Sequence, residues 1–221
     1  MIKKTLALLL TFSLLFAFVG CGDDKTESSD VTYFDGQTTT SLNKETISAA
    51  VASGKLTVSF EAVTKEEVSQ IHNHGDTHTA EVALKMSSAD LVNAIADSGF
   101  VEEEHRKIGE NYIRYECGSS MSAYFYYTND DRQNGLASIV YYGTAYGFEP
   151  KVTTKEQVLQ VMGTPAAQGD APEKALSMFL FYEQGYTYAD YVCGENHVTF
   201  FFHANGRLGA TVLYQNGLWI Y

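Results

Sequence analysis

Basic residues are scarce in this chain of 221 residues: 15 Lys and Arg stand against 27 Asp and Glu, giving a formal net charge of −12. That balance excludes a nucleic-acid partner, because phosphates are neutralised by clustered Lys and Arg and no such cluster occurs. Proline is as rare as cysteine, at three residues each, which excludes proline-rich linkers and a dense disulfide scaffold. Catalytic signatures are missing too. There is no Gly-x-Ser-x-Gly, no phosphate loop and no dinucleotide fingerprint. Ser41-Leu42-Asn43-Lys44 matches Ser-x-x-Lys, but neither Ser-Asp-Asn nor Lys-Thr-Gly follows. The acids of Asn129 to Asn134 lack the alternating ligands and closing Glu of a calcium loop. What is abundant is apolar and aromatic: 45% of residues are hydrophobic and 13% aromatic, enough for one or two compact domains.

The first 20 residues read as a secretory leader. Lys3 and Lys4 make a positive start, and Leu6 to Val19 form a nearly unbroken apolar run that falls short of the roughly 20 residues a membrane helix needs. Phe18-Val19-Gly20-Cys21 at its end resembles the lipobox of bacterial lipoproteins, which implies cleavage before Cys21 and lipidation of that cysteine. Loss of residues 1–20 removes two lysines and no acids, taking the net charge from −12 to −14. Anionic headgroups repel such a domain, so lipid must hold it at a bacterial cell membrane, facing outside the cytoplasm. Polar residues 21–30 then form a flexible tether.

Beyond the tether the chain repeats. Tyr115-Glu116-Cys117-Gly118 returns as Tyr191-Val192-Cys193-Gly194, an offset of 193 − 117 = 76, and at that offset Met121 to Tyr127 lies over His197 to His203. Each aromatic run leads to an Asn-Gly, Asn134-Gly135 or Asn205-Gly206, and then to a β-branched run. This is the signal of a hairpin with a type I′ turn. Upstream of each lies a capped helix. The first opens at Ser87-Ser88-Ala89-Asp90 with Val92, Ile95 and Ala96 on one face; the second opens at Thr153-Thr154-Lys155-Glu156 with Val158, Val161 and Met162. The unit reads α-β-β-β, with first strands at Tyr112 to Cys117 and Met178 to Glu183, and Tyr186 to Cys193 as a connecting or extra strand. Residues 86–149 form repeat 1 and residues 150–221 repeat 2. Residues 31–85 form an N-terminal α/β extension, with a helix over Lys44 to Ala52 and strands over Leu56 to Ala62 and Thr79 to Lys85, that joins or covers a sheet edge.

Thr153 to Pro165, followed by aromatic strands and Gly206-Arg207-Leu208, resembles one repeat of the β-lactamase inhibitory protein family and of the small outer-membrane-assembly lipoproteins of similar fold. The resemblance implies an α+β fold in which tandem α-β-β-β repeats form an antiparallel sheet with helices on one face. The other face is left free for a partner.

Alternation along the strands places Tyr124, Tyr126, Phe200 and Phe202 on one face and Phe125, Tyr127, Phe201 and His203 on the other. Two helices cover one face only. Val198, Phe200 and Phe202 make the more apolar side and are assigned to the core, so Phe125, Tyr127, Phe201 and His203 are the expected partner-binding residues, for a protein or envelope component. His72, His74, Asp76 and His78 fall within seven residues and could ligate Zn²⁺; otherwise no cofactor is expected. They resemble the His-x-His-x-Asp-His motif of the metallo-β-lactamase fold, except that one residue separates Asp76 from His78. Cys117 and Cys193 occupy equivalent places in the two repeats. If the repeats continue one sheet by translation they lie three or four strands apart, so two buried free thiols are expected; a disulfide would need their strands to be neighbours. The function these observations favour is a non-enzymatic, lipid-anchored binding protein, with a zinc-binding lipoprotein as the alternative.

Overall fold

The computed structural model describes residues 42–62, 77–107, 110–117, 123–128 and 134–216. Helix α1 (Lys44–Ala52) begins where the Asn43 side chain accepts the Thr46 N–H at 2.8 Å, and it buries Ile47 and Val51. Strands β1 (Lys55–Glu61) and β2 (Thr77–Ala83) pair antiparallel as a separate two-stranded sheet. Helix α2 (Ser88–Ala94) is capped by the Ser87 side chain, which accepts the Asp90 N–H. A 3₁₀ turn (Ala96–Ser98) follows it. Then come β3 (Val101–Lys107), β4 (Glu110–Cys117), β5 (Ala123–Thr128) and β6 (Ser138–Tyr141). Helix α3 (Lys155–Met162) opens with a capping box in which Thr154 and Gln157 satisfy each other's backbone N–H groups, one position later than the sequence pattern suggests. After it run β7 (Ala167–Asp170), α4 (Glu173–Met178), β8 (Thr187–Cys193), β9 (Asn196–Phe202) and β10 (Leu208–Gln215).

The eight later strands form one antiparallel sheet in the order β3-β4-β5-β6-β10-β9-β8-β7. The fold is α+β, and each repeat opens with a helix and contributes four strands rather than three, the second repeat inserting α4 between its first two. The additional strand is the edge strand, β3 in one repeat and β7 in the other. The repeats meet through their last strands, with Ile139 opposite Leu213 and Val140 opposite Val212, so they face each other instead of continuing by translation. The strand expected over Met178 to Glu183 is instead the end of α4 and the turn after it, and Tyr186 to Cys193 supplies the true partner of β9.

One row of cross-strand neighbours defines the helix-covered face: Tyr115, Phe125, Ile139, Leu213, Val198 and Tyr191. All six belong to the main core. Against it pack Ile47 and Val51 of α1, Leu91 of α2, Val158, Val161 and Met162 of α3, and Leu56, Val58 and Val82 of the β1–β2 hairpin. Strands β1 and β2 therefore lie over the sheet's face and not along its edge. The Tyr141 hydroxyl ties the two layers, accepting the Ser59 N–H at 2.7 Å.

The opposite face carries a second cluster, with Tyr124, Tyr126, Val140, Phe201, Val212 and Tyr214 on the strands. Ala175 of α4, with Phe179, Leu180 and Tyr186 after it, packs there, so one short helix lies on the side that was expected to be free of helices.

Turn chemistry explains the remaining differences. In the β9–β10 hairpin Gly206 has φ +77, while Asn205 keeps a negative φ. Gly206 N–H donates to the His203 carbonyl at 2.8 Å, giving a type I turn closed by a left-handed glycine in place of type I′. Gly135 has φ +73 for a different reason: a Cβ there would stand 2.3 Å from the Lys85 carbonyl oxygen. The chain passes that close because Lys85 N–H donates to the Leu136 carbonyl and Leu136 N–H to the Met86 carbonyl, fixing the entry to β6 against the entry to α2.

Candidate functional site

The four residues expected to share an open face do not come together. Phe125 and Tyr127 are fully buried under the helices, and the Tyr127 hydroxyl donates to the Met86 carbonyl. Phe201 lies on the opposite face, also fully buried, edge-on to Phe179 at 5.4 Å. His203 stands beyond the end of β9 in the hairpin turn. The cause is a loop length. Between β4 and β5 five residues intervene, 118–122, and between β8 and β9 only Gly194 and Glu195 do, a difference of three. Tyr115 and Tyr191 keep the 76-residue offset, but Phe125 and Val198 are related by 198 − 125 = 73. An odd slip turns every side chain of a strand to the other face.

Cys21, His72, His74 and Asp76 lie outside the described residues. His78 is on β2, exposed, stacked against Phe60 at 6.3 Å with its Nδ1 3.8 Å from Asp97. Among the described residues no three His, Cys, Asp or Glu side chains gather to hold a metal. The β4 and β8 strands that carry Cys117 and Cys193 are five steps apart in the sheet, about 24 Å, which keeps a disulfide out of reach. Cys193 is a buried free thiol, and burial pushes its pKa up.

What the fold does present is an aromatic tip after α4. Pro172 starts this helix, and Ala175 and the buried Phe179 and Leu180 anchor its end to the sheet. The N–H groups of Phe179 and Leu180 both donate to the Ala175 carbonyl, Tyr182 N–H donates to Leu176, and Glu183 N–H to Leu180. The Tyr142 hydroxyl adds a bond to the Phe179 carbonyl. Within this tightly bonded turn Phe181 and Tyr182 have φ +53 and +57. Left-handed backbone costs a residue with a Cβ about 1–2 kcal/mol, so two in succession persist only where the surroundings force them. Their side chains are 59% and 70% exposed, and among the described residues they are the two large aromatics that face solvent. The Phe181 ring leans on Tyr142 at 6.2 Å.

Directly after the tip, Glu183 accepts from His203 Nδ1 at 3.3 Å, and His203 Nε2 lies 3.3 Å from the Tyr186 hydroxyl with the rings 4.6 Å apart. A side chain at Gly209 would strike this pair, since a Cβ would come within 2.8 Å of the Tyr186 ring and 2.9 Å of His203 Nε2. Burial, then the Glu183 charge, pushes the Tyr186 phenol pKa upward, so it stays protonated. Across the groove, Arg207 Nη1 donates to the carbonyls of Lys151 and Val152 at 3.2 and 2.9 Å. Lys151, Glu183, His203, Ala204, Asn205 and Arg207 line an open cavity of about 470 Å³.

Two further polar networks sit on the same side of the sheet. The buried Asp190 carboxylate accepts from Thr199 Oγ1 and the Tyr214 hydroxyl, both at 2.7 Å, and from His197 Nδ1 at 2.9 Å, while the His197 ring stacks on Tyr214. An Asp–His pair resembles half of a catalytic triad, but here the carboxylate is shared with two hydroxyls inside the sheet. In the other repeat the Arg114 guanidinium lies over the Tyr124 ring at 4.8 Å and pairs with Glu103 and Glu116. Burial, then the Glu116 charge, pushes the Tyr124 pKa up to about 12.

No family model matches the sequence, and no curated protein matches it. Among solved structures the chain is similar to the crystal structure of a DUF4309 family protein (YjgB) from Bacillus subtilis subsp. subtilis str. 168, with a TM-score of 0.43 and 12% identity over 78% of this chain and 95% of that one. A likeness of that degree carries no argument about activity.

Proposed function

We propose that this chain is an exported, lipid-anchored, non-enzymatic binding protein that engages a component of the cell envelope through the Phe181–Tyr182 tip. One observation carries this reading: two consecutive aromatic residues held exposed on left-handed backbone, in a turn tied down by the N–H groups of Phe179, Leu180, Tyr182 and Glu183. Strain and exposure both work against folding stability, and neither is needed to complete the core, so their combination is explained by contact with something else. The leader and Cys21 supply the address and the anchor. The binding surface is thus moved from the strand aromatics expected from the sequence to the turn after α4.

The test is photo-crosslinking in intact cells with benzoylphenylalanine at position 182 and, as a control, at Glu173 on the exposed start of α4. Adducts to an envelope protein or wall polymer from 182 and none from 173 are expected. Equal yields from both sites, or none from 182, would remove the reading.

A further inference from the structure

We propose that β3 is the surface through which two copies of this chain join their sheets edge to edge, in an antiparallel pairing centred on His105. The Phe181–Tyr182 tip takes no part in it.

The edge is built to accept a strand. β3 and β7 end the strand order, so among the described residues no strand lies on the outer side of either. A terminal strand presents a row of outward N–H and C=O groups that a further strand can pair. The β7 edge is short, with four residues, Ala167–Asp170, and a glycine among them. The β3 edge runs for seven, Val101–Lys107, without proline. Its register with β4 is unbroken, from Val101 opposite Glu116 to Lys107 opposite Glu110, so no bulge twists it away. Of the devices that blunt an edge, charge is the one that β3 carries.

That charge selects the partner. After Val101 come three glutamates, then His105, Arg106 and Lys107, so acids lead and bases follow. Such a strand deters pairing with most sequences, but an antiparallel copy of itself brings the acidic part beside the basic part. Two-fold symmetry limits the registers. Opposed residues must point to the same face, and along one strand that holds only when their numbers sum to an even value. Centres on Glu103, Glu104 or Arg106 each oppose a charge to its own copy. A centre on His105 sets Glu104 opposite Arg106 and Glu103 opposite Lys107, each twice by symmetry. Four cross-strand pairs of opposite charge then flank a pair of neutral histidines.

The pairing also suits the chain as a whole. Two copies of a chain of net charge −12 repel each other, but residues 103–107 hold two acids and two bases, so the contact itself carries no net charge. The favourable pairs fall on both faces of the sheet, since positions 104 and 106 share the face of Ile113, and positions 103 and 107 that of Arg114. Glu103 keeps its existing pair with Arg114, because a carboxylate has acceptor sites for two cations. The product is one continuous sheet across the two-fold axis.

The experiment is oxidative crosslinking of the whole chain in intact cells, read by non-reducing electrophoresis. With the axis at position 105, the two copies' Cα atoms there stand about 4.5–5.5 Å apart, within disulfide reach. At position 101 they are separated by the length of eight residues of strand, roughly 26 Å. His105→Cys should therefore give a reducible band of twice the chain's mass, above the wild-type background and roughly tenfold or more stronger than the band from Val101→Cys at the exposed start of β3. Adding either Glu104→Arg or Arg106→Glu should weaken that band by roughly tenfold or more, since symmetry repeats each change in two pairs, and adding both together should restore it. The comparison of positions 105 and 101, and recovery in the combined variant, read the interface even where a single charge reversal lowers the amount of folded chain. No band from His105→Cys, equal bands from positions 105 and 101, a crosslinked species of another mass, or a band that ignores the charge reversals overturns the proposal.

Discussion

Substituting Asp190 by Ala should unfold this protein at a markedly lower temperature, and the size of the effect follows from the network the carboxylate holds. Asp190 is 5% exposed and accepts from Thr199, Tyr214 and His197 at 2.7, 2.7 and 2.9 Å. Alanine leaves two buried hydroxyls and an imidazole N–H without their acceptor, and breaking a buried, charge-assisted set in this way costs about 3–5 kcal/mol. For a domain of this size about 1 kcal/mol moves the midpoint by roughly 2–4 °C, so the fall should be roughly 6–20 °C. Calorimetry or circular dichroism on wild type, Asp190→Ala, Thr199→Val and the double variant measures it. The two single losses should sum to more than the double loss by about 0.5–3 kcal/mol, because each removes the same hydrogen bond. A fall of less than about 1 kcal/mol in Asp190→Ala, or strict additivity, would refute the claim that this network holds repeat 2 together.

Other outcomes follow from the same geometry. Phe201→Ala empties a fully buried site between the sheet and Phe179 and should cost about 3–5 kcal/mol in chemical denaturation, where an exposed aromatic would cost almost nothing. Thr154→Ala removes the capping box of α3 and should cost about 1 kcal/mol, recovered by Thr154→Ser. Tyrosine ionisation, followed by absorbance near 295 nm, should be delayed in the native protein. Burial first, and neighbouring charge where present, pushes Tyr124 and Tyr191 up to about 12 and moves Tyr126 and Tyr142 upward as well. Between the ordinary phenol pKa near 10 and these raised values the unfolded chain binds fewer protons than the folded one. Stability is therefore full below pH ~10 and is lost as pH rises toward 12. Ionisation of these groups at the ordinary pKa with no loss of structure would contradict their burial.

The parts of the fold that were legible in the sequence are those whose signals are local. Helix α1 occupies the expected residues, Lys44–Ala52, Ser87 caps α2, and the Asn205-Gly206 turn joins β9 to β10. The edge strands carry no such signal. Glu102, Glu103 and Glu104 follow one another in β3, and β7 is exposed at every position, so neither shows the period-two alternation of a half-buried strand. Helix α4 has a readable start in Pro172-Glu173, but the aromatic run that follows it, Phe179 to Tyr182, looks like a strand. Nothing in residue type separates the buried Phe179 and Leu180 from the exposed Phe181 and Tyr182; the difference lies in two left-handed backbone positions. The candidate site was illegible for a second reason. Which face an aromatic takes depends on strand register, and a three-residue difference in length between the β4–β5 and β8–β9 connections reverses it for Phe125 and Tyr127 relative to Phe201.

The Tyr182→Gly variant tests the central claim most directly, because it removes the ring and the strain together. If the tip is kept for binding at the expense of stability, glycine at this left-handed position should raise the unfolding midpoint, because relief of about 1–2 kcal/mol of backbone strain outweighs the about 0.4–1 kcal/mol that glycine's unfolded-state freedom costs, while formaldehyde-captured envelope adducts in intact cells fall to background. A lower midpoint together with unchanged adducts would mean that Tyr182 is there for the fold and that the binding surface lies elsewhere.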